Sequence, residues 1–424
     1  MLILAACTNA RAQSDSHGPG LQKPVTLNDI LKMTAIAQQT GNELTVLDIL
    51  RDTESQLGTS DPHARIIIAQ VASHFDAVVG NYREALHDFS ISNGSKHPDL
   101  TSDEDFPLRG LQPKPALAVL DPIVNKSQIV MINEAHHVPQ HRAFAIQLLG
   151  ILRKRGFRYF AAETLSAEDS GLQSRGYPVE KPPSGYYTAE PLYGDLVRTA
   201  LQLGFRVIPY EAAAFRNSEE REQGEAANLV QRVFKNDPRA KLVIYAGFSH
   251  INEGGLLGGV TPLAKRLRDI TGIDPLTIDQ TVMSEQYSPE YENPIYRYLM
   301  AHSPILEPTI FVNAQGEPWT FQPGVRDITL FQPRSVYVNG RPQWLSIGGT
   351  RKPYRLPASI CGQAKRCLAK ARAVNESEDA IPIDELAIEP EGNSRTLMLP
   401  NGVFAVESQD AQGHLVNRLR IEQH

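Results

Sequence analysis

Two short segments carry, at close spacing, the residue types that do acid–base or metal chemistry. Ile132-Asn133-Glu134-Ala135-His136-His137, with His141-Arg142 just beyond, puts a carboxylate and up to three imidazoles at the end of an apolar run. Tyr245-Ala246-Gly247-Phe248-Ser249-His250 puts another imidazole at the end of a second such run. A glutamate beside a histidine suits two tasks: removing a proton from water, or holding a divalent cation that acidifies water. A serine nucleophile elbow has no support, since Ser249 is followed by His250 and Ile251, and no His-Glu-x-x-His helix occurs.

Strands must position these residues. Ile129-Val130-Met131-Ile132 is a continuous apolar run, the pattern of a strand buried on both faces. A helix is expected from Pro139, with Phe144, Leu148 and Leu152 four apart and a basic last turn before Gly156. The alternation continues with strand Tyr159 to Ala162, a helix through Leu196 and Ala200 to Gly204, and strand Phe205 to Tyr210. Then come a helix from Ser218 to about Phe234, strand Leu242 to Tyr245, a helix with Thr261 as N-cap and Gly272 as its stop, and strand Leu276 to Ile278. Repeated strand–helix units predict an α/β fold, a mostly parallel sheet with flanking helices. Such sheets bind ligands at the carboxyl ends of their strands. Glu134, Glu163, Glu211, His250 and Asp279 leave successive strands there, so the pattern gathers them on one rim.

Length and composition bound the rest. At about 150 residues per domain, 424 residues suggest two to three domains. Residues 1–24 read as a signal or lipoprotein-like segment with a linker, 25–107 as helices, 108–303 as the α/β core and 304–424 as a small β-rich region. Within the helical part, Gly80-Asn81-Tyr82-Arg83-Glu84-Ala85-Leu86 resembles half of a tetratricopeptide hairpin, without a second copy at a fixed period. In the last part, Leu397 to Val406 reads as a hairpin around Asn401-Gly402. Lys and Arg total 42 against 48 Asp and Glu, a net charge of −6, which argues against a nucleic-acid partner. No run of about twenty apolar residues is present to span a bilayer.

Leu4-Ala5-Ala6-Cys7 matches the small-residue pattern before a lipidated cysteine, and Ala10-Arg11-Ala12 offers an ordinary signal cleavage site. The stretch before Cys7 is too short for export, so the natural start is expected upstream of Met1. The expectation is an exported protein, periplasmic or anchored to the outer membrane through Cys7. Cys361 and Cys367 remain as a pair, either a short-loop disulfide in an oxidising compartment or two thiols on a helix pointing apart.

Asn133-Glu134-Ala135-His136, the strand-end Glu163 and Gly247-Phe248-Ser249-His250 resemble the three signatures of the Tiki/ChaN/erythromycin-esterase-like superfamily, over about Gln128 to Gln280. Asn133 stands where that superfamily has glycine; asparagine tolerates the positive φ such a turn uses. A Tiki- or ChaN-like register matches His136, and the Glu-x-x-His spacing of the esterase-like branch matches His137. The resemblance implies hydrolysis of an ester or amide, with Glu134, His136, His137, Glu163 and His250 catalytic. For the Tiki-like branch it implies a divalent metal on His136, Glu163 and His250. For the ChaN-like branch it implies an exported lipoprotein binding haem without catalysis, with an imidazole or a tyrosine at the rim on the iron, Tyr186, Tyr187 and Tyr193 being available in the insertion. Arg142, Tyr186, Tyr187 and Glu211 are the expected contacts of a small-molecule or peptide substrate, Arg142 alternatively pairing with a rim glutamate. Specificity is expected in the insertion Ser166 to Tyr193.

Overall fold

The computed structural model describes residue 32 and residues 41–57, 61–100, 106–181, 183–255, 258–390 and 394–424. Cys7, the segment 1–24 and, apart from residue 32, the start of the expected helical part up to residue 40 lie outside these residues. Helices α1 (Glu43–Leu57), α2 (Pro62–Val78) and α3 (Tyr82–Asn93) come first. Strand β1 (Gln112–Pro115) and helix α4 (Ala116–Lys126) lead into the alternating region. There β2 (Ile129–Glu134), α5 (Gln140–Lys154), β3 (Tyr159–Ala162), α6 (Pro191–Gln202) and β4 (Arg206–Ile208) follow one another. Next come α7 (Ser218–Leu229), β5 (Leu242–Gly247), α8 (Leu263–Thr271), β6 (Leu276–Met283), α9 (Pro294–His302), β7 (Thr309–Val312) and β8 (Ile328–Phe331).

One eight-stranded sheet holds these strands in the order β1-β7-β8-β6-β2-β5-β3-β4. The strands from β8 to β4 pair parallel, and β1 and β7 close one edge antiparallel. The apolar runs explain the layering, because successive side chains of a strand point to opposite faces. Val130 and Ile132 of β2 pack with Phe144, Leu148 and Leu152 of α5, while Ile129 and Met131 pack with Leu229 of α7 and with Leu263 and Leu267 of α8. The register sets Glu134 directly beside Gly247, and Ala162 beside Tyr245. Three adjacent strands, β2, β5 and β3, therefore deliver Glu134, the Gly247 turn and Glu163 to one place.

Several expectations need correction. The boundary at 303 cuts one sheet, because β7 and β8 are buried throughout and complete it; each is the same short apolar run that marks β2. Thr261 is not the cap of α8. Its backbone N–H donates to Glu219, and the helix starts at Leu263 behind Pro262. Gly272 does end α8 in the left-handed conformation that favours glycine. Strand β6 runs on to Met283, so Asp279 lies inside the sheet, buried against Arg326 and Asn133 and not on the rim.

Beyond the sheet lie β9 (Tyr337–Val338), β10 (Arg341–Pro342), β11 (Arg351–Arg355), β12 (Cys367–Ala373), β13 (Asp384–Ile388), β14 (Thr396–Pro400), β15 (Gly402–Asp410) and β16 (Leu415–Gln423). Strands β13-β12-β15-β16 form an antiparallel sheet. The expected Leu397–Val406 hairpin is divided: β14 pairs with β11 and β15 with β12. The α1–α2 cluster of Leu44, Leu47, Ile68 and Phe75 packs on Leu368 and Ala387 of this sheet. A buried lysine ties the same contact, Lys370 Nζ lying 2.6 Å from Glu43 and 3.6 Å from Glu385. The first and last parts of the chain thus share a core. No described helix is long and apolar enough to cross a membrane.

Cys361 and Cys367 form a disulfide across the turn at Gly362, with Cα atoms 5.4 Å apart, rather than lying on one helix. Peptide mapping without reductant should recover the 361–367 linkage. Closing so short a loop stabilises by about 2 kcal/mol, so Cys361→Ser should lower the melting temperature by several degrees. Two free thiols in exported protein would remove the argument for an oxidising compartment.

Candidate functional site

Arg142 anchors the site. It lies on the first turn of α5, fully buried, and grips Glu134 through both carboxylate oxygens, Nε to Oε2 and Nη2 to Oε1, each at 2.7 Å. It also donates to Glu190 at 2.7 Å and to the His136 carbonyl at 2.8 Å, and its guanidinium stands 5.0 Å over the Tyr193 ring. Burial alone would raise the Glu134 carboxyl; the guanidinium outweighs it and holds the acid at about 2. Fully buried, with Nε, Nη1 and both Nη2 hydrogens engaged, Arg142 positions the site and is not a substrate contact. Glu190 is the N-cap of α6, accepting from the Tyr193 N–H, so one guanidinium joins the β2 exit to the start of the next helix.

His136 is the imidazole that Glu134 orients, Nδ1 to Oε1 at 2.8 Å. Its Nε2 looks toward Glu163 Oε2 at 3.8 Å, and its side chain keeps 18% exposure. Tyr187 stacks on the ring at 3.9 Å and Phe248 meets it edge-on at 5.3 Å. Gly247 is required here, because a Cβ would sit 2.4 Å from the His136 ring and 3.0 Å from Glu163. Phe248, next in the chain, takes positive φ (41°), so the turn strain falls there and not at Asn133, which stays inside β2. Asn133 instead holds the rim together, donating to the Phe248 carbonyl and to Asp279 and accepting from the Gln280 N–H.

Glu163 occupies the centre. Its Oε2 accepts the Gly247 N–H at 2.5 Å and its Oε1 accepts from Arg221 at 2.8 Å. His250 Nε2 lies 3.5 Å from the same Oε1, and His250 Nδ1 lies 2.9 Å from Glu222 and 3.8 Å from Glu225. Burial opposes charge on His250, but Glu222 and Glu163 outweigh it and hold the imidazole protonated well above its usual range. Glu163 is likewise kept ionised against burial, chiefly by His250 and Arg221. Tyr193 fixes the strand end by donating to the Glu163 carbonyl at 2.7 Å.

The structure thus brings together Glu134, His136, Glu163 and His250, with Tyr187 on the imidazole. It does not bring in His137, whose ring stacks on Phe89 of α3 at 3.7 Å and whose two nitrogens make no hydrogen bond. The Glu-x-x-His register is therefore not the one built, since the residue after His136 points into the helical roof. His141 is also buried and bonds to no carboxylate, accepting the Ala135 N–H. Glu211 receives the Thr164 N–H at 2.7 Å and Arg221 at 3.3 Å, bracing the wall and not waiting for substrate. Tyr186 stacks on His74 of α2 at 4.8 Å, joining roof to insertion.

Sequence reasoning missed Arg221, Glu222, Glu225 and Glu190. A signal was present: Arg221, Glu222 and Glu225 share the buried stripe of α7 with Ala226 and Leu229, and charges on an apolar stripe need a partner.

A metal on His136, Glu163 and His250 does not fit. Both Glu163 oxygens are committed, one to a backbone N–H and one to Arg221, and that guanidinium stands 3.5 Å from His250 Nε2, where a cation would be repelled. Of the residues expected to ligate haem iron, the Tyr193 hydroxyl already donates to the Glu163 carbonyl, Tyr187 stacks on the His136 ring and Tyr186 on His74.

No family model matches the chain, and no curated protein does. Among solved structures it is similar to the type III effector HopBA1, at 14% identity over 42% of this chain and 88% of that one, with a TM-score of 0.27. RRSP, a MARTX toxin effector domain from Vibrio vulnificus CMCP6, gives 16% identity over 57% and 60%, with a TM-score of 0.27. Pasteurella multocida toxin, whose C-terminal region has a thiol-protease-like catalytic triad, gives 10% identity over 85% and 54%, with a TM-score of 0.29. Scores this low assign neither a family nor an activity.

Glu134 supplies a pH test. Its folded value of about 2 lies below the ordinary 4.5, so its stabilisation is whole above 4.5 and is lost as the pH falls toward 2. Arg142→Met, which strands a buried carboxylate, should lose about 3 kcal/mol or more in urea unfolding at pH 7 and shed much of that acid limb. Equal stability of the two proteins across this range would show that the pair does not hold the site.

Proposed function

We propose that the protein hydrolyses an ester or amide bond, with His136 as the base acting on water. The observation that carries this reading is the convergence of two carboxylate-oriented imidazoles from different strand exits, one toward each oxygen of Glu163. Glu134, kept ionised by Arg142, takes the Nδ1–H of His136 and so leaves the Nε2 lone pair to accept a proton. His136 alone of the two rings retains appreciable exposure, as a group that must meet water requires.

Water attacks the carbonyl carbon while its proton passes to His136 Nε2, and the carbonyl oxygen takes up negative charge. Protonated His250, with the Arg221 guanidinium behind it, stabilises that oxyanion. Collapse breaks the acyl bond, and the proton on His136 passes to the leaving oxygen or nitrogen. Glu163 sets the spacing of the two rings and keeps His250 charged. The stacking of Tyr187 on His136 supports a role for the Ser166–Tyr193 insertion in choosing the substrate, a small molecule or a peptide. The Cys361–Cys367 bridge supports an exported protein, and anchoring through Cys7 remains part of the proposal.

A panel of esters and peptides should reveal turnover that falls about 10²- to 10⁴-fold in His136→Gln while the melting curve stays in place. Glu163→Gln should lower kcat similarly. Full activity in both variants would remove the site from the reaction. Absence of any hydrolysis, with a haem Soret shift lost in His250→Ala, would replace the enzyme by a carrier.

A further inference from the structure

Behind His250, on the side away from Glu163, α7 presents Glu222 and Glu225 one helical turn apart, and both face the Nδ1 of that ring. One donor atom from each of the three residues falls within 4.8 Å of the others, and all three residues are buried. Both oxygens of Glu225 and the Oε2 of Glu222 take part in no hydrogen bond, and the Nδ1 of His250 meets only carboxylates, Glu222 at 2.9 Å and Glu225 at 3.8 Å. Glu225 is 0% exposed, and its nearest cation is Arg221 Nε, 2.7 Å from Oε1, in an ion pair without hydrogen-bond geometry. Burial pushes the Glu225 carboxyl well above its usual range, so this group is held either by a proton or by a cation that completes it.

We propose that Glu222, Glu225 and His250 Nδ1 bind a divalent cation of the zinc or manganese class, set behind the reacting centre. Donors at about 2.1 Å from a tetrahedral ion stand roughly 3.4 Å from one another. The Nδ1 distances of 2.9 Å to Glu222 and 3.8 Å to Glu225 bracket that spacing, so small side-chain shifts suffice. One nitrogen and two carboxylates suit zinc and manganese and leave room for a further ligand. Arg221 does not block the ion, since it serves Glu225 Oε1 and the Glu163 side of the ring, and Oε2 remains. A metal on Nδ1 takes the place of the proton that nitrogen otherwise carries toward Glu222 and leaves the hydrogen on Nε2 pointing at Glu163, in a carboxylate–histidine–metal relay. The ion then supplies the positive charge that the proposed reaction draws from this ring. The ion is thus a positioning element for His250, and this inference shares His250 and its partner Glu222 with the proposed reaction.

The test uses the full chain, stripped with EDTA, dialysed, and titrated calorimetrically with Zn²⁺ and with Mn²⁺. One ion per chain is expected, with affinity lowered about tenfold or more in Glu222→Gln and in Glu225→Gln and unchanged in His136→Gln. No stoichiometric binding by wild-type protein, equal binding by a folded Glu225→Gln variant, or loss of binding in His136→Gln would each overturn the site. Should the glutamine variants not fold, Co²⁺ bound to wild type decides: intense visible bands of a low-coordinate site support it, and only the weak bands of aquo ion overturn it. Hydrolysis is measured on the same samples. Turnover without metal binding rejects this inference alone, and metal binding without turnover rejects only the proposed reaction.

Discussion

The buried Arg142–Glu134 pair is the interaction on which the site depends. A guanidinium with no exposure is tolerable only when its donors are taken, and here they bind Glu134 twice, Glu190 and the His136 carbonyl. That single fork sets the direction of the β2 exit, the start of α6 and the ionised state of the carboxylate that orients His136. The pair is a weak source of net stability, since desolvation offsets most of the attraction. Its effect is geometric: with both Glu134 oxygens held, the imidazole next to it has one orientation to adopt.

A second buried ionic group repeats the device at the neighbouring strand exit. Arg221 reaches Glu163, Glu211 and Glu225 from α7, and His250 hangs between Glu163 and Glu222. The two groups meet at Glu163, whose other oxygen is fixed by the Gly247 N–H. Glycine at 247 lets the His136 ring close against the β5 exit, which places two independently supported imidazoles on one carboxylate. Above them an aromatic layer, Tyr187 and Phe248 against His136 and Phe89 against His137, excludes water from all but a small part of the His136 ring. Phe89 belongs to α3 and His74, stacked on Tyr186, to α2, so the first helices are a roof of the site and not a separate module.

The strand–helix alternation was legible because burial on both faces demands uninterrupted apolar runs, and Ile129 to Ile132 and Leu242 to Tyr245 could be little else. Glu134, His136, Glu163 and His250 were legible for the same reason: a residue that ends a parallel strand stands on the binding edge. Asp279 misled because β6 continues past it, and a polar residue satisfied by Asn133 and Arg326 inside a sheet looks, in sequence, like the end of a strand. β7 and β8 were assigned to the wrong region, since β7 pairs antiparallel with β1 and β8 and no helix separates it from β8, so the strand–helix alternation that marks the parallel core breaks there.

The amino-acid sequence by itself determined the parallel core, the edge on which the Glu and His residues gather and the pairing of Cys361 with Cys367 as an option. Those depend on periodicity and on contacts between residues near in the chain. Only the tertiary structure decided between His136 and His137, turned Arg142 from a surface contact into a buried clamp, and set Glu222 and Glu225 behind His250. Each of these depends on which charged groups meet after distant helices dock. In a buried site the energy of a charge is governed by those partners, and spacing along the chain does not record them.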